Sequence, residues 1–209
     1  MKADILIRIL TVDDHPLLHE GIAASIGVQK DMKLVAQANN GHEALEQFRQ
    51  HHPDITLMDL QMPGMNGIET IQAIRREFPD ARIIVLTTYS GDAQAARAFS
   101  AGAFGYLLKS SLRKELIETI RIVNSGKKRI SPEISIELAE HQGDDALSER
   151  EIEVLQQVAA GMGNKIIAVH LEISQETVKA HIKNILAKLG AHDRTHAVSI
   201  AVKRGIIEI

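Results

Sequence analysis

"DITLMDLQMPGMNG", Asp54–Gly67, decides how the first half of the chain is read. Ile55, Leu57, Met58, Leu60 and Met62 make it apolar, and Pro63, Gly64 and Gly67 break it. A short apolar run bounded by turn residues reads as a strand buried on both faces. One carboxylate, Asp59, stands at its end, where a buried strand has no need of an acid.

Working outward, short apolar runs alternate with helical patterns. Strands are expected at Ile7–Val12, Leu34–Ala38, Ile55–Met58, Arg82–Thr87 and Gly105–Leu108. Helices are expected near Pro16–Ile26, His42–His51, Gly67–Phe78, Asp92–Ala101 and Leu112–Asn124. Five such repeats predict an α/β doubly wound five-stranded parallel sheet, which carries its site at the carboxyl ends of its strands. From Gly126, "GKKRISPEISIELAEHQGDDA" reads as a linker, and only helical periodicity follows Leu147. The expected organisation is an α/β domain over 5–125, a linker over 126–146 and an all-α four-helix domain over 147–209.

Composition narrows the classes. The 209 residues hold no Trp and 3% aromatics, so aliphatic packing must form the core. No run approaches the ~20 apolar residues that cross a membrane, and "MKADILIRIL" has the wrong flanks for a signal peptide. With no Cys there is no disulfide framework or thiolate metal site, which fits a reducing cytoplasm. Residues 1–147 carry 16 Lys/Arg against 20 Asp/Glu, and 148–209 carry 8 against 7. The second half is therefore not basic overall, but Lys179, Lys183 and Lys188 fall together, and local sorting is what makes a docking surface.

Asp13 and Asp14 end the first strand and Asp59 the third, so a parallel sheet brings three carboxylates to one edge. Three anions there repel unless a cation neutralises them, and hard oxygen ligands with positions left for water suit Mg²⁺. Thr87 and Lys109 close two further strands with a hydroxyl and an ammonium. Acids, hydroxyl and ammonium together match a phosphoryl-transfer site in which a carboxylate attacks in line. Singly, each residue has a plainer reading: Asp14 as a helix cap, Lys109 as a solvated strand end, Thr87 as β-propensity, Tyr106 as edge packing.

Residues 7–125, through "VDDHP", "LMDLQMPGMNG", "LTTYS" and "GAFGYLLK", resemble the receiver domain of bacterial two-component response regulators. The resemblance implies a flavodoxin-like fold and a phosphoacceptor, Asp59, served by a sensor histidine kinase. It further implies that Asp14 and Asp59 ligate Mg²⁺ directly, Asp13 through water and Gln61 by its main-chain carbonyl. Lys109 would contact the phosphoryl oxygens, while Thr87 and Tyr106 would switch position on phosphorylation.

In the helical half, Ile152, Leu155, Val158 and Ala159 make one stripe, and Ile166, Ile167 and Leu171 pack a short helix against it. Ser174 caps the longest helix, whose apolar face is Val178, Ile182, Ile185, Leu186 and Leu189. Its other face shows Gln175, Lys179, Ala180, Lys183, Asn184 and Lys188. Residues alone allow a helix-turn-helix or a plain bundle with solvated lysines. Residues 147–204, through "LSEREIEVL", "NKIIA" and "ETVKAHIKNILAKLG", resemble the LuxR-type DNA-binding domain, in the NarL/FixJ-like subfamily. The resemblance implies that Lys179, Ala180 and Lys183 face the major groove, with Thr177, Asn164 and Lys165 on backbone phosphates and Gln175 and Lys188 beside them. Ile166, Gly163 and His196 depart from the family's usual residues. The last helix, Arg194–Lys203, would be a dimer surface.

The expected function is a phosphorylation-controlled transcriptional regulator that binds a double-stranded operator as a homodimer, with RNA polymerase as a further partner. Two alternatives stand beside it: a Mg²⁺-dependent phosphohydrolase with an aspartyl nucleophile, and a regulator that binds DNA without phosphate. Against the first, Gln61 stands where many such hydrolases place a general acid.

Overall fold

Successive side chains of a strand point to opposite faces, and that alternation gives the sheet two chemically different sides. The computed structural model describes residues 6–88, 91–140 and 146–207. Tyr89 and Ser90 of the fourth-strand motif, residues 141–145 of the expected linker and the extreme ends of the chain lie outside the described residues. The chain divides into two units, one built from 6–88 and 95–135 and one from 91–94 and 136–207.

In chain order the α/β part runs β1 (Ile7–Val12), α1 (Pro16–Gly27), β2 (Met32–Ala38), α2 (Gly41–His51), β3 (Ile55–Asp59), α3 (Gly67–Glu77), β4 (Ile83–Thr87), α4 (Asp92–Ala101), β5 (Gly105–Leu108), α5 (Leu112–Asn124) and β6 (Arg129–Ile130). The strands form one parallel sheet in the order β2-β1-β3-β4-β5-β6. Five strands were expected and the described residues form six. The addition is β6, taken from the expected linker: Arg129 N–H donates to the Phe104 carbonyl at 2.9 Å and Ser131 N–H to that of Tyr106 at 3.3 Å. Two residues carry no readable period, so this strand had no signature in the sequence.

Ile9, Ile55, Leu57, Ile84, Leu86 and Leu107 share a core with Ile22 and Ile26 of α1 and Leu116 and Ile120 of α5. Leu10, Met58, Val85 and Tyr106 alternate onto the opposite face and are buried there. Stepping two residues at a time, Asp13, Asp59 and Lys109 continue the face toward α1 and α5. Thr87 and Tyr106 belong to the other. Strand alternation therefore sorts the expected site residues into an ionic set and a hydroxyl pair.

After α6 (Pro132–Glu140), the helical unit contains α7 (Glu149–Ala159), α8 (Asn164–His170), α9 (Gln175–Leu189) and α10 (Arg194–Lys203). Val154, Leu155, Val158, Ile167, Val178, Ile185, Leu189, Ala197 and Ala201 form its core. The starts of α7, α9 and α10 are capped by Ser148, Ser174 and Asp193, each satisfying orphan N–H groups of a first turn. Gly190 ends α9 in the left-handed conformation, φ 59°, where glycine carries no Cβ penalty. Among the described residues no helix is long and apolar enough to cross a membrane.

Candidate functional site

The ladder between β1 and β3 ends at Val12 and Met58, so the next residues, Asp13 and Asp59, leave adjacent strands at one edge. Both are buried, at 1% and 2% exposure. Lys109, at the end of β5, reaches across to them: its Nζ lies 2.7 Å from Asp13 Oδ2 and 2.9 Å from Asp59 Oδ2. The contact to Asp59 is a hydrogen bond, whereas Asp13 Oδ2 makes no aligned hydrogen bond and is buried. Asp59 Oδ1 accepts from the Gln61 backbone N–H at 3.3 Å.

Asp14 completes the acidic set, and His15 joins it without having been singled out in the sequence. His15 Nδ1 stands 3.0 Å from Asp13 Oδ1 and 2.8 Å from Asp14 Oδ1. One ligand-capable atom from each of Asp13, Asp14, His15 and Asp59 lies within 4.8 Å of the others. This donor set fits a hard divalent cation. It offers carboxylate oxygens from three residues, one of them a buried oxygen without an aligned donor, and it opens toward solvent through Asp14 and His15.

Electrostatics follow from burial. Loss of solvent pushes the Asp59 carboxyl above the ordinary carboxylate range, with Asp13 adding to the rise and Lys109 opposing it. Burial works against the Lys109 charge. The close contacts and field of Asp13 and Asp59 outweigh it and hold the ammonium above the usual lysine range. On the opposite face, burial pushes the Tyr106 phenol up, and its hydrogen bond with the Thr87 side chain pulls the other way. Thr87 and Tyr106 are thus coupled to each other, one strand-end away from Asp59.

The loop after β3 is set by close approach. A Cβ on Gly67 would lie 2.1 Å from the Asp59 carbonyl oxygen and 2.6 Å from Leu60 Cα, both main chain. Gly67 N–H donates to the Leu60 carbonyl at 3.0 Å, and Asn66 with Glu69 closes a capping box on α3. The first turn of α3 is therefore pinned directly behind the phosphoacceptor candidate.

In the helical unit, α8, a turn through Glu172 (φ 54°) and α9 form the helix-turn-helix. Gln175, Thr177, Lys179, Ala180, Lys183 and Asn184 are exposed on α9, Lys165 is exposed on α8, and Asn164 is half-buried at its start. Thr177 also serves the cap, its hydroxyl 2.9 Å from that of Ser174. Lys179 makes only a surface pair with Glu176, at 2.8 Å. Lys188 sits apart from this group: its Nζ is 2.8 Å from Glu151 Oε2 and 3.1 Å from the Ala146 carbonyl. Glu151 is buried, 4% exposed, and closes the capping box of α7 with Ser148. Burial opposes its charge, and Lys188 and the cap bonds outweigh that, holding its carboxyl below the usual range. The Ser-x-x-Glu spacing of Ser148 and Glu151 is the sequence signal for this structural role.

Similarity to known proteins covers both units. Residues 9–121 match the response regulator receiver domain and residues 145–201 match the bacterial regulatory proteins of the luxR family. The transcriptional regulatory protein LiaR of Bacillus subtilis is 37% identical over 210 residues, covering 97% of this chain and 100% of that protein. The nitrate/nitrite response regulator protein homolog of Haemophilus influenzae is 38% identical over 195 residues, covering 91% and 94% respectively. Among solved structures, RcsB from Salmonella enterica serovar Typhimurium, bound to promoter P1flhDC in the presence of phosphomimetic BeF3⁻, aligns with a TM-score of 0.73 at 27% identity. That alignment covers 94% of this chain and 98% of RcsB.

Proposed function

This chain belongs to the two-component response regulators with a receiver domain and a LuxR-type DNA-binding output domain, and from that premise we propose that Asp59 is its phosphoacceptor and α9 its DNA-reading helix. The family is one of DNA-binding transcriptional regulators rather than of dedicated enzymes. The observation that carries the proposal is the edge geometry: a buried Asp59, with Lys109 2.9 Å from its carboxylate and Asp13 on the neighbouring strand.

In the proposed reaction an Asp59 carboxylate oxygen attacks the phosphorus of a phosphohistidine on a sensor kinase. An O–P bond forms as the N–P bond breaks, and the imidazole leaves with the electron pair and takes up a proton. The Lys109 ammonium 2.9 Å away favours the ionised, nucleophilic carboxylate, against the burial that pushes its pKa up. Lys109 moves its charge from the carboxylates to the phosphoryl oxygens, which offer a stronger acceptor. Mg²⁺, when bound by Asp13, Asp14, Asp59 and the Gln61 carbonyl, neutralises charge that builds on the transferring group. Phosphorylation replaces the single charge of the Asp59 carboxylate with an acyl phosphate carrying roughly −1.5 to −2, a net gain of about −0.5 to −1 together with new acceptor oxygens at this edge. Thr87 responds from β4 and, through its bond to Tyr106, changes the face beside α4. That is a two-state element biased by local charge.

For the output, Lys179, Ala180 and Lys183 form the exposed face that enters a major groove, with Gln175 beside them. Asn164, Lys165 and Thr177 lie toward the backbone phosphates. Phosphorylation favours a homodimer that reads two half-sites about one DNA turn apart. RcsB solved as two dimers on two DNAs supports the dimeric reading. This role places the protein in the cytoplasm, with a histidine kinase upstream and RNA polymerase downstream. Acetyl phosphate with Mg²⁺, followed by operator gel shifts, tests the proposal. Tighter binding after phosphorylation is expected. Equal affinity with and without phosphate favours the phosphate-independent regulator.

A further inference from the structure

One buried titratable side chain beside the site has no part in the reaction above. His19 of α1 is 6% exposed and bonded at both ring nitrogens. Nδ1 lies 2.8 Å from Thr11 Oγ1, and Nε2 lies 2.8 Å from the main-chain carbonyl of Asp13. A carbonyl can only accept, so Nε2 carries the proton and donates. Nδ1 faces the Thr11 hydroxyl, which can donate to it or accept from it. Thr11 and Asp13 are two residues apart on β1 and share the face toward α1, so one imidazole spans both.

The place of this bond gives it meaning. The β1 ladder ends at Val12, paired with Ala38 and Met58. Asp13 N–H still reaches the Ala38 carbonyl at 3.0 Å, but the Asp13 carbonyl lies beyond the ladder, in a buried position where a carbonyl needs a donor. His19 supplies it. That carbonyl belongs to the peptide joining Asp13 to Asp14, so its orientation sets the direction of both carboxylates at once.

We propose that His19 is a positioning residue: by holding the Asp13–Asp14 peptide it aims both carboxylates at the cation that Asp59 shares. The inference rests on reading the acid cluster as a Mg²⁺ site. It acts as the outer-shell partners of metal ligands do, whose loss typically weakens metal binding by about 10–100-fold.

Isothermal titration of the full chain with MgCl₂ alone tests it, with no phosphodonor present. Gln places its amide nitrogen the same number of bonds from Cα as His Nε2, whereas Asn matches Nδ1. His19→Ala should therefore lose about tenfold or more in Mg²⁺ affinity, His19→Asn should resemble it, and His19→Gln should return to within about threefold of the parent. A role in packing alone would lower the thermal midpoint of all three without separating Gln from Asn in affinity. Affinity in His19→Ala within about twofold of the parent overturns the proposal. If His19→Ala does not fold by circular dichroism, the Gln and Asn variants decide, and equal Mg²⁺ affinities overturn it. Asp14→Asn is the control for the underlying reading. If the parent shows no Mg²⁺ binding that Asp14→Asn removes, the cation site itself fails and the inference falls with it. If that binding is present and only the His19 variants behave alike, the inference alone fails.

Discussion

Replacing Lys109 by Met keeps an apolar stem and removes the charge that holds two buried carboxylates together. At an effective dielectric of about 20, contacts of 2.7 and 2.9 Å are each worth roughly 6 kcal/mol of gross attraction. The net loss is smaller because burying the ammonium is itself costly, and removal of one partner of a buried pair typically costs about 3–5 kcal/mol. A second limit is independent of the dielectric. Rather than tolerate two unpaired anions, Asp59 takes up a proton. From an ordinary value of 3.8, doing so near pH 7 costs at most about 4 kcal/mol. Urea unfolding in EDTA should therefore show Lys109→Met less stable by about 3–4 kcal/mol near pH 7. Tyrosine fluorescence can follow it, since the chain has two Tyr and no Trp. Lys109 loss raises the folded pKa of Asp59 further, so the variant is penalised as pH rises and recovers as pH falls. Near pH 5 the same limit shrinks to about 1.6 kcal/mol. Mg²⁺ at about 100 times its Kd should restore roughly 2.7 kcal/mol. A loss below about 1 kcal/mol near pH 7, or one independent of pH, would refute this account of how the site is held.

Other consequences are as direct. Gly67→Ala puts a methyl 2.1 Å from the Asp59 carbonyl oxygen, so α3 must shift; phosphoryl acceptance, timed by mass spectrometry, should slow by on the order of 10²-fold. Lys179→Ala and Lys183→Ala should each weaken operator binding by about 1–3 kcal/mol in titrated gel shifts, with a shallower salt dependence. Unchanged affinity in both would place the reading surface elsewhere. Glu151, held below its ordinary value of 4.5, contributes stability that is present above that value and lost as pH falls through its lower folded pKa. Protection factors of α7 amides, corrected for the intrinsic exchange rate at each pH, should fall on acidification through that range, and Lys188→Met should flatten the dependence while costing about 2 kcal/mol.

The fold was legible where burial is two-sided. The run over Ile55–Met58 must be covered on both faces, and that is the ground on which it reads as a parallel strand. The acids and Lys109 were legible because strand ends in this architecture share an edge. What alternation adds is their division: Asp13, Asp59 and Lys109 fall on one face, and Thr87 with Tyr106 on the other. His15 and His19 were missed because a histidine near a helix start has no period to mark it; only the turn of β1 into α1 brings their rings back over Asp13. Lys188 illustrates the converse. It lies on the lysine side of α9 in the sequence, yet one further helical turn brings it beside the capping box of α7, where Glu151 takes its charge. β6 escaped notice because two residues pair by register with β5, not by pattern.

Phosphoryl transfer to one residue tests the central claim most directly. Incubated with acetyl phosphate and Mg²⁺, the full chain should gain the mass of one phosphate, acid-stable and alkali-labile as an acyl phosphate must be, and Asp59→Asn should gain none. An equal mass gain in Asp59→Asn would contradict the assignment of this strand end as the phosphoacceptor.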